Sequence, residues 1–118
     1  MMPAELLFLV NVSWLLAHEL DAIQQREWRF FFARFGLDET QGQRLFIGLH
    51  VPLLVFIFAN LAVPAFQIGF NLFLLVHAGL HWALRHHPVI EFNSSFSRLW
   101  IFGAVPLALL HLLLQASA

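Results

Sequence analysis

Residues 65–85 read AFQIGFNLFLLVHAGLHWALR, a run without an acidic side chain that ends at Arg85. Roughly 20 apolar residues cross a hydrocarbon core about 30 Å thick as one helix. His77 and His81 lie four apart in this run, so a helix presents both on one face. Ionisable groups inside a bilayer are costly and usually face a bundle interior, so that face must meet other helices. The chain supplies them. About 3–23, 45–63 and 97–115 are apolar over similar lengths and carry His18, His50 and His111. The expected fold is all-α: one transmembrane domain, residues 1–118, built as an integral membrane four-helix bundle with spans at about 3–23, 45–63, 65–85 and 97–115.

Composition points the same way. Residues are 60% hydrophobic and 11% charged, with 14 Phe and a mean hydropathy of +0.77, too apolar for an ordinary soluble domain of this size. The first stretch lacks a basic leader and contains Asn11, His18, Glu19 and Asp21, so it reads as a retained helix and not a cleaved signal peptide. The absence of Cys removes disulfides, CxxC zinc sites and iron–sulfur ligation. A net charge of −1 without basic runs argues against nucleic acid.

Arginine placement gives an orientation. Arg26, Arg29, Arg34 and Arg44 fall between the first and second stretches, while Arg85 and Arg98 bracket the connection between the third and fourth. The positive-inside rule makes that side cytoplasmic and leaves both termini outside. On the same side, Trp28, Phe31, Phe32 and Phe35 follow helical spacing, which predicts a short amphipathic interfacial helix over Gln25–Phe35, stopped by Gly36. Asp38 with Gln41 fits a capping box, Asn93 or Ser94 a cap for the last span, and Pro64 a helix start. Pro52, inside its span and close to His50, could kink the helix and aim that ring.

Counting 1.5 Å per residue from the inner span ends places His18, His50 and His81 at roughly 6–8 Å depth, His77 at about 12 Å, and Glu19 and Asp21 at roughly 3–6 Å. These form one inner polar layer. Asn11, Asn60, Asn71 and His111 fall at roughly 18–22 Å and form a second, which reads as interhelical glue or the lining for a polar group. Imidazole and carboxylate donors suit a divalent metal such as Fe or Zn, so His18, Asp21, His50, His77 and His81 are the expected ligands. Asp21 serves either as a ligand or as a partner orienting a histidine. Glu19 and Glu91 are the expected proton-transfer groups. Glu27 reads equally as a further carboxylate or as a partner of Arg26, Arg29 or Arg34, and Glu5, Asp38 and Glu39 as solvated. Two alternatives stand beside the metal site: polar side chains that only hold helices together, and a haem ligated by two facing histidines.

The blocks His18-Glu19-Leu20-Asp21-Ala22, Glu27-Trp28-Arg29, Gly48-Leu49-His50-Val51-Pro52, His77-Ala78-Gly79-Leu80-His81-Trp82, His87-Pro88 and Glu91-Phe92, in that order, resemble DUF6713, a family of small bacterial membrane proteins of unknown function. The chain is more distantly similar to HXXEE-domain membrane proteins. Their His-x-x-x-His element is matched by His77 and His81, and their carboxylate pair by Asp21-Ala22, with one acid missing. His81 with His86-His87 loosely resembles the histidine boxes of membrane desaturases and hydroxylases, which hold two irons; the bland reading of His86 and His87 is a wet interfacial pair. The resemblance implies a multi-helix protein of the bacterial inner membrane with metal-dependent chemistry, and names no substrate. The resulting expectation is a metalloenzyme near the cytoplasmic leaflet acting on a lipid or other apolar substrate, by oxidation or hydroxylation with iron and by hydrolysis with zinc. The contrasting expectation is a non-enzymatic haem or cofactor subunit. The lipid bilayer is the expected partner, nucleic acid is not, and self-association into a homo-oligomer is left open.

Overall fold

A computed structural model describes residues 1–118, the side chain of Ala33 apart. The chain forms α1 (Pro3–Gln24), α2 (Trp28–Phe32) continued by a 3-10 turn (Ala33–Phe35), α3 (Glu39–Ala59), α4 (Pro64–Ala83), α5 (Ser95–Phe102) and α6 (Ala104–Ala116). Among the described residues there is no strand. Three segments are long and apolar enough to cross a membrane: α1, α3 and the combined stretch Ser95–Ala116. The α4 helix falls outside that set, its hydropathy reduced by Gln67, Asn71, His77 and His81. Asn71 and His81 are buried, so the polar groups of α4 are turned inward.

The local signals act as their chemistry dictates. Pro3 and Pro64 open α1 and α4, where a missing N–H costs nothing. Asp38 accepts the Gln41 N–H at 2.7 Å and Gln41 accepts the Asp38 N–H at 3.1 Å, closing a capping box. Ser94 accepts the Ser97 N–H at 3.0 Å. Gly36 takes φ 71 and ends the 3-10 turn. The α3 helix runs unbroken through Pro52. The last apolar stretch is interrupted at Gly103, because Pro106 cannot donate to the Phe102 carbonyl. A side chain at Gly103 would also strike Trp14, 2.7 Å from its ring; Trp14 itself donates to the Leu99 carbonyl at 3.2 Å.

One expected element differs. The interfacial helix does not begin at Gln25. Instead, α1 closes in a Schellman turn: the Glu27 N–H donates to the Ala22 carbonyl at 3.0 Å and the Arg26 N–H to the Ile23 carbonyl at 3.3 Å. Arg26 adopts φ 58, the left-handed region that costs a side-chain-bearing residue roughly 1–2 kcal/mol. The turn reverses the chain and carries Glu27 back under α1. Arg26→Gly should therefore raise stability by about 1 kcal/mol with the turn preserved, seen as a higher thermal midpoint in detergent; an unchanged or lowered midpoint would mean that the Arg26 side chain offsets its own strain.

The bundle is held mainly by α4 against α6, α1 against α6, and α1 against α5. Phe8, Leu15, Leu74 and Ala108 fill its centre. A second cluster, with Ala22, Trp28, Ala78, Phe92 and Ile101, fills the end where Arg residues gather. The α3 helix stands apart. Only Gly42, Phe46 and Ile57 of it are buried, and its main contacts are with α2, where Gly42 lets the Trp28 ring approach so closely that a Cβ would lie 2.8 Å from it.

Candidate metal centre

His18 projects from α1, and His77 and His81 from successive turns of one face of α4. The Schellman turn adds Glu27. These side chains each offer one ligand atom within 4.8 Å of all the others. The ring of His18 lies 4.6 Å from that of His77 and 5.2 Å from that of His81, and the α4 pair are 4.5 Å apart, centroid to centroid. The Glu27 carboxylate spans the set, with Oε2 3.8 Å from His18 Nε2 and Oε1 3.9 Å from His81 Nε2. Phe92, from the loop between α4 and α5, closes the group, its ring 5.4 Å from His18 and 4.8 Å from His81.

His18 is 0% exposed and neither ring nitrogen has a hydrogen-bond partner. Burying a polar group without a partner costs several kcal/mol at the upper end of the range, and such groups are rare in folded proteins. A cation among His18, Glu27, His77 and His81 would engage that imidazole, and the donor set of nitrogen and carboxylate oxygen fits zinc or non-haem iron. Glu27 is 8% exposed. Burial, then the neighbouring charges of Glu19 and Asp21, push its carboxyl up to about 8, so the metal-free group holds a proton that a metal would displace.

The other expected site residues lie elsewhere. His50 on α3 donates through Nδ1 to the Phe46 carbonyl at 2.7 Å, and its Nε2 is hydrogen-bonded to Glu19 Oε2 at 2.6 Å. Asp21 is buried beside the turn, with one oxygen accepting Gln25 at 3.4 Å and the other unpartnered. Glu91 is 43% exposed at its side chain and binds Arg29 at 3.1 Å; the same guanidinium binds Glu39 at 2.8 Å. That pairing frees Glu27 from arginine. His87 accepts the Val89 N–H at 3.2 Å. Glu19, Glu27, His50 and His77 nevertheless share one cleft of about 500 Å³ between α3 and α4, with Leu53 and Phe73 on its walls. Leu53 and Phe73 also border an adjoining cleft of about 370 Å³ lined solely by apolar side chains and Gly69.

The second polar layer is a hydrogen-bonded chain. Asn11 donates to Asn71 at 2.9 Å, and Asn71 Nδ2 lies 2.7 Å from His111 Nδ1. Gln115 extends it to Gln67 at 3.3 Å, an addition that depth counting of Asn and His missed. Asn60 is outside it, donating to the Phe56 carbonyl at 2.8 Å at the end of α3.

Fold and site together define an all-helical protein with apolar, membrane-length helices and a buried three-histidine, one-glutamate group. Over residues 4–118 the chain matches the family of unknown function DUF6713, and it belongs to that family. No curated protein and no solved structure matches it.

Proposed function

We propose that this chain is a four-span membrane metalloprotein whose His18, Glu27, His77 and His81 hold one divalent cation, and that it is an enzyme acting on an apolar substrate. The observation that carries the reading is the fully buried His18 with both nitrogens unpartnered amid three other ligand-type groups. The α4 helix is the fourth span: its polar residues point into the bundle and its outer face, with Leu72, Phe73, Val76 and Leu80, is exposed and apolar. The paired clefts between α3 and α4 support lateral entry of a lipid chain from the bilayer, ending at His77 and Glu27. With zinc the ion would supply a bound water of lowered pKa for hydrolysis, and with iron a centre for oxidation. His50 and Glu19, hydrogen-bonded on the cleft wall, can hold and pass a proton at its polar end. A third histidine and a carboxylate crowded within 4.8 Å favour a compact ion over a porphyrin, which needs an open plane between two axial rings.

Arginine placement supports an inner-membrane protein with both termini outside. Elemental analysis of the purified protein should give about one Zn or Fe per chain with no Soret band. A Soret band, or no metal after reconstitution, would overturn the metal reading. A carboxy-terminal reporter should be active only outside the cytoplasm; activity confined to the cytoplasm would overturn the orientation.

A further inference from the structure

A third cavity, about 380 Å³, opens where α4 ends and α5 begins. His81 is part of its lining, so this cavity borders the proposed metal group. A small cavity of about 100 Å³ is lined by Glu27, His77 and His81 among others. The larger cavity is lined by Arg85, His86 and Arg98, with Trp82 and Phe102 as apolar wall. Among the described residues no carboxylate lies within ion-pair distance of Arg85 or Arg98, whereas Arg29 holds two. Arg85 is held in place: it donates to the Trp82 carbonyl at 2.6 Å and lies 4.0 Å over the Trp82 ring, a stacking that leaves guanidinium N–H groups free to bind.

We propose that this cavity binds the phosphate head of an anionic membrane lipid, gripped by Arg85 and Arg98 with His86 beside them. Two guanidinium groups without carboxylate partners provide forked donors suited to phosphate oxygens. Cationic groups at the inner membrane surface attract anionic lipid, and Trp82, 60% exposed, offers apolar surface on the route from the bilayer. A lipid is favoured over a free anion because the pocket joins cationic groups to apolar wall. Assigning this lipid as the substrate rests on the metal reading above; the binding itself does not.

The test uses the full chain in detergent micelles, reading the thermal midpoint with dioctanoyl phosphatidic acid, dioctanoylglycerol or inorganic phosphate, and metal content in the same preparations. Phosphatidic acid should raise the midpoint by several degrees at saturation, and the other two should have little effect. Arg98→Gln and Arg85→Gln should each weaken the lipid effect at least tenfold, while Arg34→Gln, an exposed arginine outside the cavity, should leave it intact. Equal shifts from dioctanoylglycerol, from phosphate alone, or in Arg98→Gln would overturn the site. A shift in wild type that takes up no metal even after reconstitution upholds the site and removes its assignment as substrate; metal-loaded protein with no shift overturns the site and leaves the metal centre standing.

Discussion

His18→Ala is expected to yield a helical, extractable protein that has lost its metal. Losing one of four ligands should weaken binding more than the roughly 10–100-fold typical when a partner behind a ligand is removed, so purified variant should carry almost none. The fold should survive because the imidazole makes no hydrogen bond and packing holds the bundle; its removal also takes away a buried polar group without a partner. His81→Ala should behave alike. His50→Ala and His111→Ala should retain metal, since the first is bound to Glu19 and Phe46 and the second to Asn71. Elemental analysis beside circular dichroism reads the result. Full metal in His18→Ala, or its loss in His111→Ala, would move the centre to another layer.

Glu27→Gln should have two separable effects. The substitution keeps the size of the side chain and removes the carboxylate from the ligand group, so metal affinity should fall by a comparable margin. In metal-free wild type, burial and the charges of Glu19 and Asp21 raise the Glu27 carboxyl from its ordinary 4.5 to about 8. Between those values the folded state keeps a proton that the unfolded chain has released, so stability declines as pH rises through this window. The Gln variant lacks that contribution and should lose less stability from pH 5 to 8, measured as thermal midpoints of metal-stripped protein. Metal uptake by wild type below pH 8 should also release a proton from this group, detectable as a buffer-dependent heat. Parallel pH profiles for the two proteins would show that Glu27 is ionised in the metal-free state.

Axial position was readable from the chain, and direction around each helix only partly so. His77 and His81 share a face because four residues nearly complete a turn, and counting rise brought His18 to the same level. His50 was counted to a similar depth, yet only three residues of α3 are buried and its ring meets Glu19. Depth carries no information about which helices touch. Glu27 was obscured for a different reason. The spacing of Trp28, Phe31, Phe32 and Phe35 continued a helical pattern backwards through a turn, and an arginine in a left-handed conformation gives no sequence signal where glycine would have. The Asn11–Asn71–His111 chain was legible from polar side chains in apolar surroundings; Asn60 shared the count and not the contact because it terminates its helix at the turn between α3 and α4.

The strained turn at Arg26 bears on how fast a metal could be exchanged. The Glu27 backbone is tied by hydrogen bonds to the last turn of α1, so the turn sets where its side chain starts toward His18 while those bonds persist. If a cation sits there, its release would be coupled to fraying of the end of α1, a local opening with its own free energy and rate. The exchange half-life should follow backbone amide protection near Ala22–Glu27, and relieving the strain with glycine should lengthen both together.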